Sequence, residues 1–221
     1  METQVLIIGA GPTGLMAANQ LMRFGIEFII VDHKAGPTKE SRAIAVTARS
    51  LEIYQQLGLV DRVLSQGTQM SSFNIYSGGK RKAEVKIGEI GTGLSEFKYL
   101  FAFEQSRNEE LLYSNLREHN REVLWKTEFL SLKEHEGHVL TNLKSESADI
   151  EIKAQYLIAC DGAKSPVRHQ LNFNFEGGTY ENRFFVADTV LSWGLESDKL
   201  ILFPSKTNFC GFFPLKGENY Y

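Results

Sequence analysis

The stretch Val5-Leu6-Ile7-Ile8-Gly9-Ala10-Gly11-Pro12-Thr13-Gly14-Leu15-Met16-Ala17-Ala18-Asn19-Gln20 decides how this chain is read. An apolar run enters a Gly-x-Gly-x-x-Gly turn, and a proline then opens a segment rich in alanine and leucine. The run has the length of a buried strand, and proline is favoured at the first position of a helix. We expect a strand at 4–8, a helix at 12–24 closed by Gly25, and a second buried strand at 27–31. Strands joined by such a crossover are parallel. Gly9 permits the tight turn, Gly11 lets backbone approach a pyrophosphate, and Gly14 lets the helix pack on the strand. The helix start, Pro12, Thr13 and Gly14, presents the positive end of its dipole to phosphates.

Asp32 follows Gly14 by 18 residues, at the end of the second strand, where its carboxylate can accept both ribose hydroxyls. It also limits the ligand. A 2′-phosphate at about 5 Å, with an effective dielectric of about 20, meets repulsion of about 3 kcal/mol, over ~100-fold in affinity. NADP is therefore disfavoured on this turn, while NAD and FAD are not separated.

The totals narrow the function classes. The chain has 221 residues, a net charge of -3, 43% hydrophobic and 23% charged residues, ordinary for a globular protein. Such a charge gives no pull toward nucleic acid or anionic membrane. The one basic run, Lys80-Arg81-Lys82, follows Ser77-Gly78-Gly79 and reads as a solvated hairpin turn. Two cysteines, Cys160 and Cys210, argue against a disulfide framework or zinc site and fit a reducing, cytoplasmic compartment. The apolar start lacks the basic n-region of a secretory signal, and no run reaches the roughly 18 apolar residues of a membrane span. The five histidines, His33, His119, His135, His138 and His169, are scattered and read as surface residues. No metal site is expected.

Further along, helices are expected at 47–57 and 60–66, a hairpin at 71–87 turning on Gly78-Gly79, and a short strand at 99–103. A helix at 106–119 would be capped by Ser106, with Glu109 three residues on and Leu111, Leu112 and Leu116 on one stripe. Strands follow at 123–125, 127–133, 138–143, 150–152 and 155–160, the last ending at Asp161-Gly162. Beyond Arg168 the pattern is β-rich: 184–191, 200–203 and 208–214. The closing Tyr220-Tyr221 reads as a return strand just begun, so a piece of a longer protein is expected. The fold class is α/β. A Rossmann-like nucleotide-binding domain with a central parallel sheet spans 1–175, with an inserted β segment at about 71–98. An incomplete antiparallel β domain begins at 176–221.

Two more stretches bear on the nucleotide. Ser41-Arg42-Ala43-Ile44-Ala45-Val46-Thr47-Ala48-Arg49-Ser50-Leu51-Glu52 leads into Leu57-Gly58-Leu59, and Ala159-Cys160-Asp161-Gly162-Ala163-Lys164-Ser165-Pro166-Val167-Arg168 closes the later strand. Together with the opening glycines, and with Phe103-Glu104-Gln105-Ser106 before Glu109, these resemble FAD-dependent aromatic hydroxylases of the para-hydroxybenzoate hydroxylase fold, in particular the phenol, pentachlorophenol and polyketide hydroxylase branch. The likeness covers essentially the whole chain. Read by chemistry alone, Arg42 is either a charge-assisted donor to a pyrophosphate or a surface arginine. Arg49, on a predicted helix, reads as a solvated residue. Gln105 sits where a side-chain amide can bind a ribityl chain, a role the resemblance favours. Asp161-Gly162, a turn signal by itself, resembles the family's second flavin fingerprint, where the aspartate contacts the ribityl–pyrophosphate region.

The resemblance implies tightly bound FAD, transient NAD(P)H and O₂, and a small aromatic substrate hydroxylated through a flavin C4a-hydroperoxide. The cofactor carries that chemistry, and the protein supplies position and electrostatics. Lys164 and Arg168 can offer transient charge to a pyridine nucleotide or can simply be exposed. No catalytic base is named. Phe203, Phe212 and Phe213 either wall a substrate cavity or pack a core. The family's third flavin motif, a later Gly-Asp, does not occur within these 221 residues. A chain of this extent is expected to bind FAD weakly or not at all by itself and not to hydroxylate. Other readings are a halogenase or another FAD oxidoreductase of the same fold, or a non-catalytic nucleotide-binding module; the Trp-x-Trp-x-Ile segment usual in halogenases is missing from this sequence, whose tryptophans are Trp125 and Trp193.

Overall fold

Val5, Leu6, Ile7 and Ile8 are all buried, so the opening strand has both faces covered, as a strand inside an α/β sheet must. A computed structural model describes residues 1–41, 43–217 and 221. In chain order the elements are β1 (Glu2–Ile8), α1 (Pro12–Arg23), β2 (Phe28–Val31), β3 (Ala45–Val46), α2 (Ala48–Gln56) and α3 (Val60–Gln66). Next come β4 (Thr68–Met70), β5 (Ser72–Ser77), β6 (Lys80–Lys86), β7 (Leu100–Ala102), α4 (Gln105–Glu118) and β8 (Val123–Leu124). The last are β9 (Glu128–His135), β10 (His138–Lys144), β11 (Asp149–Ala159), α5 (Pro166–Gln170), β12 (Lys199–Pro204) and β13 (Phe209–Phe212). The chain divides into two compact units: Met1–Lys39 with Asn108–Arg183, and Glu40–Arg107 with Phe184–Tyr221.

The first unit is built on a six-stranded sheet ordered β8-β2-β1-β11-β10-β9. β1 runs parallel to β2 and β11, and β2 parallel to β8, while β10 is antiparallel to β11 and β9. Leu6, Ile8, Val31, Phe129, Leu143, Ile152 and Val167 form one buried cluster. By strand alternation Ile7 and Ile30 turn to the opposite face, and both are buried. α1 packs on β1 and β2, and α5 on β9. Buried amides join α1 to α4: Asn19 Nδ2 donates to the Leu15 carbonyl at 2.8 Å and the Leu112 carbonyl at 3.0 Å, and Asn115 Nδ2 donates to Asn19 Oδ1 at 2.7 Å.

The second unit holds a four-stranded sheet, β13-β12-β5-β6, and a three-stranded one, β3-β7-β4. β5 and β6 form a hairpin whose turn, Gly78 and Gly79, has φ of +58° and +72°, the mirror-image turn that suits strand twist. The basic residues after it, Lys80, Arg81 and Lys82, are exposed. β12 pairs with β5 in parallel and with β13 antiparallel, so the inserted hairpin and the later strands share one sheet.

Several local expectations need correcting. The strands expected at 150–152 and 155–160 are one strand, β11. Its residues 149–154 pair with β10 and its residues 153–159 with β1, apart from 155, so two sets of partners keep it extended across the polar interruption. No strand forms at 184–191: Phe184, Phe185 and Val186 are strongly exposed, and only an isolated bridge forms at Val190. Thr189 and Tyr221 exchange two backbone hydrogen bonds there. Ser106 does not cap α4, which starts at Gln105; its N–H instead donates to Ser41 Oγ at 3.3 Å. Glu109 does not reach back to close a capping box, because its carboxylate accepts from the Thr38 N–H at 2.7 Å.

Replacing Asn19 with Ala strands the Asn115 amide and removes a donor from the Leu112 carbonyl. The loss is expected to be about 2 kcal/mol, read as a lower urea midpoint at unchanged slope.

Candidate functional site

Gly9, Asp32 and Asp161 leave the carboxyl ends of β1, β2 and β11, three adjacent parallel strands, where ligands of open α/β sheets bind. At Gly9, φ is +102°, and a Cβ would lie 2.3 Å from the Cys160 carbonyl oxygen. At Gly14 a Cβ would lie 1.8 Å from the Gly9 carbonyl oxygen. These two glycines are therefore required by the protein's own packing. Gly11 is different: its backbone is ordinary (φ -78°) and no atom lies within 4 Å of where its Cβ would be. The protein's own packing and backbone therefore give no reason for a glycine there. Pro12 is the first residue of α1, Thr13 is exposed, and no acidic residue stands in that first turn to repel an anion.

Asp32 is only 5% exposed. Its Oδ2 accepts from the Ala10 N–H at 2.6 Å and its Oδ1 from the Lys34 N–H at 2.8 Å. Its own N–H donates to the Leu124 carbonyl, and its carbonyl accepts from Thr127. One amide on each oxygen leaves acceptor capacity on both, the requirement for holding two hydroxyls. The Lys34 ammonium lies 3.9 Å from Oδ2 and 3.4 Å from the Glu109 carboxylate.

Asp161 contributes to the fold. Its Oδ2 accepts from the Val167 N–H at 3.1 Å, and Ser165 Oγ accepts from the Arg168 N–H at 2.9 Å, so the two side chains cap α5. The Gly162 carbonyl accepts from the Ser165 N–H, holding the turn between them. Cys160 is half-buried, and burial first, then the adjacent Asp161 carboxylate, push its thiol up, away from the nucleophilic thiolate. Lys164 is exposed, whereas Arg168 lies over the Phe175 ring at 5.1 Å and reaches the Phe173 and Ala163 carbonyls.

Gln105 belongs to the second unit, at the start of α4, half-buried, with its N–H on the Ala43 carbonyl at 3.0 Å. Arg42 lies outside the described residues. Next to Gln105, the Glu104 carboxylate pairs with Arg107 Nε at 2.7 Å, and Arg107 also donates to the carbonyl of Gln66. Burial raises the Glu104 pKa, Arg107 opposes that rise, and Asp188 adds to it. Arg49 forms an exposed pair with Glu52. Phe203 and Phe212 stack edge-on with each other and cluster with Trp193 within the second unit, all three partly buried. Among the described residues no group of three or more His, Cys, Asp or Glu is placed to hold a metal ion. No helix there is long and apolar enough to cross a membrane. Spacing rules missed Lys34 and Glu109, because their meeting depends on a contact 75 residues apart.

A family model described as an FAD binding domain matches residues 2–221. The chain is 34% identical over 191 residues to a 3-(3-hydroxy-phenyl)propionate/3-hydroxycinnamic acid hydroxylase of Escherichia coli, covering 85% of this chain and 34% of that protein. It is 29% identical over 197 residues to 6-methylpretetramide 4-monooxygenase of Streptomyces rimosus, covering 88% of this chain and 35% of that protein. Among solved structures it resembles the flavin-dependent monooxygenase PieE, crystallised with FAD and substrate: TM-score 0.75, 29% identity, 80% of this chain and 33% of that one. The chain thus spans about a third of the length of the curated relatives it matches. It belongs to the FAD-binding domain family.

The glycines separate experimentally. Gly14→Ala should destabilise the fold by about 3 kcal/mol or more, because backbone must move. Gly11→Ala should melt within about 2 °C of wild type, since it meets open space, yet lose most FAD affinity in a flavin-fluorescence titration.

Proposed function

From membership of the FAD-binding family, we propose that the whole protein is an FAD-dependent monooxygenase that uses NAD(P)H and O₂ to hydroxylate a small aromatic or phenolic compound. The observation that carries this reading is the buried Asp32 carboxylate with acceptor capacity to spare at the carboxyl end of β2, beside the glycine turn into α1. The names of the relatives, aromatic hydroxylases and monooxygenases, supply the reaction class.

The residues present fit the adenosine–pyrophosphate half of FAD. The backbone at Gly9, Gly11, Pro12, Thr13 and Gly14 cradles the pyrophosphate at the positive end of α1. Asp32 accepts the ribose hydroxyls. Asp161 and Gly162 line the ribityl–pyrophosphate side, and Asp161 is held in place by its bond to the α5 amide. From the sequence pattern we also assign an amide, Gln105, and a cation, Arg42, to FAD. Bound FAD supplies oxygen activation after reduction by a pyridine nucleotide. In this reading residues 1–175 are the FAD domain, and the 71–98 segment with 176–221 begins the substrate sheet, consistent with the pairing of β5 and β12. The half-buried thiol of Cys160 and the free Cys210 suit a reducing cytoplasm.

Full-length protein, purified with its flavin, should consume NAD(P)H several-fold faster with its cognate phenolic compound than without it. Under ¹⁸O₂ the product should gain one labelled oxygen by mass spectrometry. Stimulated NAD(P)H oxidation with no label in any product, across a phenol panel, would assign the protein to an oxidase or reductase instead.

A further inference from the structure

Lys34 stands between two buried carboxylates, Asp32 at 5% and Glu109 at 1% exposure. Its ammonium is 3.4 Å from Glu109 Oε2 and 3.9 Å from Asp32 Oδ2. Its backbone is fixed on both sides: the N–H donates to Asp32 Oδ1 at 2.8 Å, and the carbonyl accepts from the Lys126 N–H at 2.8 Å. The Trp125 ring lies 5.9 Å from the ammonium. With its Cα held, the ammonium can shift between the two acids by bond rotation alone. Any shift toward Asp32 covers the oxygen that has to accept a ribose hydroxyl, and an ammonium binds a carboxylate more strongly than a neutral hydroxyl does.

We propose that Glu109 is a positioning residue for nucleotide binding: its carboxylate holds the Lys34 ammonium off Asp32 and so keeps the ribose acceptor open. This rests on the reading of Asp32 as the ribose-binding acid. Glu109 is suited to the task because the Thr38 N–H anchors the same Oε2 at 2.7 Å, giving the counter-charge a fixed address on α4. The loop from β2 thereby carries its own competitor, and a helix far along the chain restrains it. The arrangement also explains a fully buried acid on the face of α4 that otherwise buries Leu111, Leu112 and Leu116.

The test measures FAD dissociation constants of full-length wild type, Glu109→Gln, Lys34→Met/Glu109→Gln and Asp32→Asn, with a thermal melt of each. The Glu109→Gln side chain keeps an oxygen for the Thr38 N–H but carries no charge. E109Q should therefore weaken FAD by about tenfold or more while its melt stays close to wild type. The double variant removes the released ammonium and should return to within about threefold of wild type. E109Q binding FAD as wild type does, E109Q losing FAD only together with its fold, or a double variant as weak as E109Q would each overturn the proposal. D32N binding FAD undiminished would overturn the reading of Asp32 itself; D32N weakened with E109Q unchanged would overturn the role of Glu109 alone.

Discussion

Everything at this site depends on how closely three backbone segments approach one another. The Gly9 carbonyl touches the place where a Gly14 side chain would begin, and the Cys160 carbonyl touches the place where a Gly9 side chain would begin. Those contacts draw α1 down onto the end of β1 and hold β1 against β11. Once they are made, Cys160 N–H donates to Ile8 and Gly9 N–H to Val31, and the three strand ends line up. No atom of the protein lies within 4 Å of where a Gly11 side chain would begin, so the turn is open above that residue. Close packing and open space come from the same glycine pattern, but from different members of it.

The polar groups around this turn show a second economy. Asp32 and Asp161 each spend acceptor capacity on local backbone: Asp32 on Ala10 and Lys34, Asp161 on the first turn of α5. These bonds orient the carboxylates before any ligand arrives, which lowers the ordering cost of binding. They also satisfy amides that burial would otherwise penalise. The cost is that charge must be managed nearby, and the pairing of Lys34 with Glu109 does this in the first unit. In the second unit Glu104 pairs with Arg107 at 2.7 Å, next to Gln105 in sequence.

Where sequence reading succeeded, the signal was local. The βαβ unit, the glycine turn, the acid ending β2 and the Gly78-Gly79 hairpin each rest on residues a few positions apart, where sterics and periodicity act directly. Where it failed, the partner was distant. Ser106 and Glu109 have the spacing of a capping box, yet Ser41 and Thr38 supply their bonds. β11 looked like two strands because its middle is polar, and only its two different neighbours make it one. The apolar run at 184–191 has strand composition but lacks a partner ladder, so Phe184 and Phe185 stay exposed.

By itself the sequence determined the parallel α/β core, the glycine turn between β1 and α1, and the acid that follows β2. Those follow from backbone sterics and hydrophobic periodicity over a few positions, which need no knowledge of remote contacts. Tertiary structure alone decided which glycines of the turn the protein's own packing requires, and that Asp161 caps α5. It also decided that Glu109, 75 residues from Lys34, pairs with its ammonium at 3.4 Å while Asp32 lies 3.9 Å away. A Cβ clash and an ion pair are properties of distances in space, and spacing along the chain does not contain them.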